Sequence, residues 1–415
     1  MMLRRIPIVL LFFVVFTAFT PIDNSGDLLI SEGFKRAEQL YSDMLKEQHD
    51  YRLYPRTANE DGTLKNTSLK EWTSGFWAGN LWYLYEYTHK QEWKDAALAW
   101  TNTLADNQYN KSTHDLGFMM YCSYGNAYRL THNPQYKSIM IQSAKSLASR
   151  YSPVTKTIKS WDQRLSWDGK TMWHYPVIID NMMNLELLFW ATKATGDSTY
   201  YKIAVNHAET TMKNHVRPDY STYHVVNYDE KTGKVLNRET CQGYADNSTW
   251  ARGQAWAIYG FTMVYRETHD KRFLELAQHL ADFFLNNKRL PEDKIPLWDF
   301  NVNQPGYRPL WAYDRDKYSD PIPRDASAAA VVSSALFELS DFSKGEQRAN
   351  YKNEAVQMLT SLSSSVYLAI PHTNDNFLIK HSVGSLPHHA EIDVPLCYAD
   401  YYYLEALLRY QHAEK

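Results

Sequence analysis

Two aspartates stand where a run of chain hands over to a helix. Asp180 lies in YPVIIDNMMNLELL (Tyr175–Leu188), between the extended apolar stretch Pro176 to Ile179 and a helical pattern. Asp115 opens a second such segment, HDLGFMMY (His114–Tyr121). An aspartate at a helix start ordinarily accepts backbone N–H groups of the first turn and acts as a cap. The chemical reading is different. Two carboxylates gathered beside an anionic ligand repel each other, so one keeps its proton near neutral pH and becomes a general acid. The helix dipoles pull the other way, favouring the charged form.

Further polar residues fall near these starts. Arg252 has the planar fork that grips a carboxylate; the bland alternative is a buried structural pair with Asp246. His224 and Gln242 lie in the segments leading to it. Trp77 and Trp256 are either stacking platforms for a sugar ring or core. Cys122, Cys241 and Cys397 are odd in number and far apart, so they make no disulfide framework and no metal-ligand spacing. Cys122 and Cys397 read as core, whereas Cys241 sits in a polar loop and is the only one whose access calls for a test. No metal and no cofactor is expected.

What must position these residues is a repeat. An apolar helix ends in Thr-His or Thr-Gly, crosses a polar turn and restarts at an aromatic: YTHKQEW (Tyr87–Trp93), LTHNPQY (Leu130–Tyr136), ATGDSTY (Ala194–Tyr200) and ETHDKRF (Glu267–Phe273). Ala326–Phe342 followed by Gln347–Ser363 is a fifth copy. The helix before each turn is apolar nearly all round, hence buried; the helix after it is amphipathic, hence outer. Ser31–Gln48 is amphipathic too, and Val394–Gln411 would close against it. The pattern predicts an all-α fold, an (α/α)6 barrel of six hairpins, rather than an open solenoid, which would need polar caps at both ends.

Two inserts interrupt the repeat. Ser152–Pro176 is rich in Trp and Thr, and Tyr220–Thr240 reads as a small β-hairpin. Both precede an inner helix, so one end of the ring collects the irregular, aromatic, ionisable loops where a site belongs. Five inner-helix starts face that end: WTSGFWAG (Trp72–Gly79), HDLGFM, DNMMN (Asp180–Asn184), DNSTWARGQAW (Asp246–Trp256) and PRDASAAA (Pro323–Ala330). Converging helix N-termini suit a carboxylate-bearing ligand.

The charge balance, 44 Lys+Arg against 47 Asp+Glu, argues against a nucleic-acid binder. The N-terminus carries two arginines and then the apolar run Ile6–Phe19, a secretory signal pattern too short to span a membrane comfortably. The expectation is a cleaved signal peptide over residues 1–22, with an uncleaved anchor as the alternative. One catalytic domain, residues 27–415, would then work in the periplasm or outside the cell. No other segment is apolar enough to cross a membrane.

SGFWAG, HDLGFM, IIDNMMNLELL, STWARGQAWAIYGF, PLWDF (Pro296–Phe300), RDASAAA and ADYYYLEALLR (Ala399–Arg409) closely resemble the motifs of unsaturated glucuronyl hydrolases, glycoside hydrolase family 88. The resemblance runs through nearly the whole chain in order. It implies an (α/α)6 barrel acting on oligosaccharides that begin with a 4,5-unsaturated uronic acid, the product of a polysaccharide lyase. It implies that Asp180 is the general acid/base and Asp115 its assisting carboxylate. His224, Gln242, Arg252, Trp77 and Trp256 match substrate-contacting positions. Ser382 and Ser385 in HSVGSLP fall where some members hold a substrate sulfate with a nearby Lys. Pro387 stands where that Lys is expected, which argues against sulfated substrates of that kind.

The implied chemistry is hydration of the C4=C5 vinyl ether rather than protonation of the leaving oxygen. Three other readings compete. A rhamnogalacturonyl hydrolase would run the same chemistry on pectin fragments. A sugar epimerase would want His pairs along the inner helices, which carry almost none. A non-catalytic glycan-binding protein would need neither aspartate.

Overall fold

The computed structural model describes residues 25–59 and 61–413, so the expected signal segment lies outside the described residues. Twelve long helices follow in order: α1 (Ser25–Glu47), α2 (Ser74–Thr88), α3 (Gln91–Thr103), α4, α5 (Pro134–Ala148), α6 (Asn181–Thr195), α7 (Ser198–His215), α8 (Ala251–Thr268), α9 (Lys271–Leu285), α10 (Ala326–Phe342), α11 (Gly345–Leu362) and α12 (Cys397–Ala413). α4 is composite: Gly117–Gly125 is wound as a π-helix and runs into the α-helical Asn126–Thr131.

The repeated turn has a physical cause. His89, His132 and His269 take the left-handed conformation, with φ of 56°, 54° and 55°, and Gly196 does so at 77°. Each returns its N–H to the carbonyl four residues back, at 2.8 Å, closing the preceding inner helix. The next helix is then capped: Asn133 accepts from Gln135 N–H, Asp197 from Thr199 N–H and Asp270 from Arg272 N–H. Thr-His-Asn, Thr-Gly-Asp and Thr-His-Asp are therefore stop-and-restart signals.

The even-numbered helices are buried over most of their length and form the inner ring, each beside the next and α12 beside α2. The odd-numbered ones expose a polar face outside. Inner neighbours approach closely: a Cβ on Gly117 would collide with Asn184 of α6, and one on Gly260 with Met182. α1 closes against α12, with Tyr41 donating to Asp400 at 3.0 Å. The toroid is thus shut as the sequence pattern requires.

The strands serve the site end of the ring. The expected hairpin is present as Val225–Tyr228 and Val235–Glu239, joined by a third strand, Pro176–Ile178. Within the Trp-rich insert, Tyr151–Ser152 pairs with Thr157–Ile158 and Arg164–Leu165 with Met172–Trp173. Two hairpins escape the repeat pattern. Tyr54–Ala58 pairs with Leu64–Thr67 in a segment whose Pro55 and Gly62 read as loop, and Ser382–Ser385 pairs with Ala390–Val394. Four- and five-residue strands without clean alternation leave little periodic signal. Among the described residues no helix is long and apolar enough to cross a membrane.

Candidate active site

Asp180 is delivered by a strand end. Ile178 pairs with Val225, so His224 falls opposite Ile179, whose N–H donates to the His224 carbonyl at 3.0 Å. That register brings the His224 ring beside Asp180, the residue just before α6. Asp180 occupies the helix-start position, yet its side chain makes no capping hydrogen bond. Asp325, in the corresponding place before α10, does cap, accepting from Ser327 N–H at 3.2 Å. The cap reading therefore holds for Asp325 and fails for Asp180.

Asp180 is 8% exposed, and its Oδ2 has no hydrogen-bond partner. Its pKa is pushed up to about 7: burial disfavours the anion, the Arg252 charge opposes that, and Asp115 adds to it. The Trp256 indole N–H, aimed at the same carboxyl and otherwise unpartnered, pulls the value back down. His224 Nε2 lies 3.6 Å from Asp180 Oδ2. His224 Nδ1 accepts the backbone N–H groups of Cys241 (3.0 Å) and Gln242 (3.1 Å), so the ring proton sits on Nε2. Burial, with the Arg252 charge, holds the His224 pKa well below its ordinary value, and the ring is neutral at pH 7.

Asp115 stands at the start of α4, across from Asp180. Thr113 Oγ1 donates to its Oδ2 at 2.6 Å, and His114 Nε2 lies 3.2 Å from Oδ1. His114 is fully buried and its pKa is lowered by burial. The His114 ring lies beside that carboxylate, but its Nε2 makes no hydrogen bond, so Thr113 is the residue that orients Asp115.

Arg252 is 1% exposed and bridges three groups: Asp325 at 2.7 Å and the carbonyls of Val383 and Gly384. Its partner is Asp325, not Asp246, whose carboxylate accepts Thr240 N–H instead. Arg252 thus reaches the site through its charge rather than as an open fork. It also lies over the Trp250 ring (4.5 Å) and the Tyr398 ring (5.4 Å). Gln242 Nε2 donates to Gly384 O at 3.2 Å, tying the same turn down from the other side.

Three of the expected contact residues lie elsewhere or act otherwise. Trp77 is fully buried against Tyr41 of α1 and Trp100 of α3, on the side of α2 away from the ring axis. Ser382 is fully buried and accepts Ser327 N–H at 3.1 Å, supporting the first turn of α10. Trp256 is at the site but offers Asp180 an N–H rather than a stacking face, being packed between Phe118 (5.2 Å) and Tyr402 (5.5 Å). Cys241 is buried, not accessible, and burial raises its thiol pKa to about 12. Ser385 remains at the rim, hydrogen-bonded to His388 Nδ1.

Trp72 and Tyr398 were not singled out from sequence. Trp72 packs on Phe118 (5.4 Å) and Tyr398 (5.0 Å), and the Tyr398 hydroxyl is buried without a partner. Their signal was available: each sits directly before an inner helix or in its first turn. Below Phe118 and Tyr402, at the far end of the ring, lies a separate cavity of about 210 Å³ bordered by Glu86, Arg129, Glu186, Glu405 and Arg409. Among the described residues no cluster of three or more His, Cys, Asp or Glu is arranged to hold a metal ion.

The arrangement can hold a proton on a buried carboxyl near neutral pH, next to a neutral imidazole N–H, an indole N–H and a second carboxylate. The profile of Glycosyl Hydrolase Family 88 matches residues 44–286. The chain is 47% identical over 344 residues to an unsaturated glucuronyl hydrolase of Formosa agariphila, covering 83% of this chain and 80% of that one. It is 34% identical over 368 residues to an unsaturated chondroitin disaccharide hydrolase of Streptococcus agalactiae, covering 86% and 85%. The crystal structure of an unsaturated glucuronyl hydrolase specific for heparin superposes with a TM-score of 0.86 at 45% identity, covering 94% of this chain and 98% of that one.

Proposed function

The chain belongs to glycoside hydrolase family 88, and from that membership we propose that Asp180 is the proton donor and acceptor of its reaction. The enzyme is an unsaturated glucuronyl hydrolase: it removes a 4,5-unsaturated uronic acid from the non-reducing end of lyase-generated oligosaccharides. The C4=C5 bond of that sugar is a vinyl ether conjugated to a carboxylate. Asp180 protonates C4, and positive charge develops over C5 and the ring oxygen. Water adds at C5 and returns its proton to the Asp180 carboxylate. The resulting hemiketal opens and expels the aglycone. A single group of adjustable pKa serves both proton transfers.

The observation that carries this reading is the Asp180 carboxyl, buried, uncapped and raised to about 7. Burial keeps that pKa high, and the Asp115 charge adds to it. His224 directs its Nε2–H into the same space, where a substrate hydroxyl or the attacking water would receive it. The N-termini of α2, α4 and α6 supply positive partial charge for the uronate carboxylate.

The test is spectroscopic. Unsaturated disaccharides of chondroitin, hyaluronan, heparin, ulvan and pectin type are incubated with the enzyme, and the ultraviolet absorbance of the conjugated double bond is followed. Its loss with wild-type enzyme and its persistence with Asp180→Asn support the assignment; wild-type-like turnover by Asp180→Asn sinks it.

The apolar run Ile6–Phe19 behind two arginines supports export to the periplasm or beyond, with cleavage near residue 22. Sequencing the N-terminus of the protein recovered from its native compartment tests this; an intact Met1 in the cytoplasm overturns it.

A further inference from the structure

The inner ring does not fill its own axis. Five of the six inner helices border the far-end cavity of about 210 Å³, which opens between the exposed Arg129 and His412. Its inner end is set by the catalytic elements themselves: Gly117 and Phe118 follow Asp115 on α4, and Met183 follows Asp180 on α6. Pockets for drug-sized ligands run to roughly 300–1,000 Å³, so this one suits a smaller molecule.

The guanidiniums around it are all answered. Arg129 grips both oxygens of Glu86 at 2.5 Å. Arg409 meets Glu338 at 2.9 Å and the Tyr259 hydroxyl at 2.8 Å. Arg266 meets Glu338 at 2.8 Å and also Glu186. Four carboxylates, Glu86, Glu186, Glu338 and Glu405, thus face three guanidiniums, Arg129, Arg266 and Arg409, and one negative charge is left over. Glu267, which also touches Arg266, is matched by Lys193 at 2.6 Å. The inner helices add partial negative charge, since their C-terminal ends lie at this end. Glu186 registers the imbalance: burial raises its pKa, Arg266 opposes that, and the charges of Glu338 and Glu405 raise it further.

Three polar groups on the wall have capacity to spare. Glu186 commits one carboxylate oxygen to Arg266, and no described residue takes the other. Tyr402 is 2% exposed and lines the cavity, and its hydroxyl makes no hydrogen bond among the described residues. The Tyr121 hydroxyl, close enough to feel the Glu186 charge, is likewise without a partner among them. Glu405, by contrast, is saturated by the hydroxyls of Tyr83 (3.0 Å), Tyr259 (3.1 Å) and Ser334 (2.5 Å). One carboxylate oxygen and two hydroxyl oxygens among aromatic faces receive a group that brings a positive charge and several N–H donors. They do not make up the oxygen shell of a divalent cation, and among the described residues no such cluster is present.

We propose that this cavity is a binding site for a small organic ammonium ion. Its N–H groups donate to Glu186, Tyr121 and Tyr402, and its apolar body lies against Phe118 and Met183. The site is separate from the reaction: Phe118 and Tyr402, both packed on Trp256, stand between it and Asp180.

Calorimetry on the full enzyme tests this with three probes: butylammonium chloride, n-butanol of the same shape without the charge, and potassium chloride. Butylammonium is expected to bind, and the other two are not. Glu186→Gln should weaken butylammonium binding by about 10- to 100-fold, and Tyr402→Phe by about 3- to 10-fold. Glu186→Gln strips Arg266 of a partner and could fail to fold. The double variant Tyr121→Phe with Tyr402→Phe leaves the ion pairs intact and should lose at least as much affinity as Tyr402→Phe alone. A crystal structure with butylammonium should show its nitrogen against Glu186. No binding of butylammonium overturns the site, as does equal binding of butanol or of potassium. Affinity unchanged in the double tyrosine variant, or density for the ligand elsewhere, overturns it as well.

Discussion

His224 Nε2 and Asp180 Oδ2 face each other at 3.6 Å, and neither atom has a hydrogen-bond partner. Two buried, complementary polar atoms left just out of reach cost stability, since each forgoes water. Such a pair makes physical sense where a third atom completes the bonds, and the substrate or the attacking water is that atom.

Removing the titrating carboxyl is expected to separate activity from folding. Asp180→Asn should lower kcat by roughly 10²- to 10⁴-fold. It should also change how stability varies with pH. The folded pKa is raised from 3.8 to about 7. The stabilisation from the protonated form is therefore present in full below about pH 4 and lost as the pH rises through about 7. Urea midpoints at pH 5 and pH 8 should fall for the wild type and fall less for Asp180→Asn. Asp400, also raised to about 7, titrates in both proteins and cancels in the difference.

The pH profile of kcat/KM should lose activity on its alkaline side near pH 7, where Asp180 gives up the proton it must deliver. Asp115 raises that pKa by its charge. Asp115→Asn should therefore move the alkaline limb to lower pH, besides lowering the rate. An unmoved limb would mean that another group sets it.

His224→Asn keeps an acceptor where Nδ1 stands and removes the Nε2–H. It should reduce kcat by about 10²-fold with little loss of stability. His224→Ala leaves the Cys241 and Gln242 N–H groups unpaired and should cost about 2 kcal/mol or more. Thermal melts of the two variants, set beside their kinetics, read the difference.

Two buried tryptophans should part company. Trp77→Phe should lower stability by about 1–3 kcal/mol and leave KM alone, since Trp77 packs between α1 and α3. Trp256→Phe removes the N–H that holds the Asp180 pKa down, so its alkaline limb should move to higher pH.

The ring was legible because its signals are local. Each Thr-His or Thr-Gly marks a left-handed helix end, and the all-round apolarity of α2, α4, α6, α8 and α10 marks the inner ring. The two aspartates were legible through the same logic, since inner-helix starts share one end. Side-chain direction was not. Trp77 and Trp256 occupy similar places near the starts of inner helices, yet one points outward to the odd-numbered helices and the other at Asp180. Arg252 and Asp325, 73 residues apart, pair across a turn whose hairpin gave no periodic signal.

The π-wound stretch Gly117–Gly125 makes the aim of Asp115 a matter of residue count. Wider winding spends one residue more per closed bond than an α-helix does, and Asp115 lies just upstream of it. Rewinding these residues as an ordinary α-helix with none removed would swing everything upstream by about 100°, turning Asp115 off the pocket. In this one inner helix, winding and residue count are therefore pinned together by the reaction.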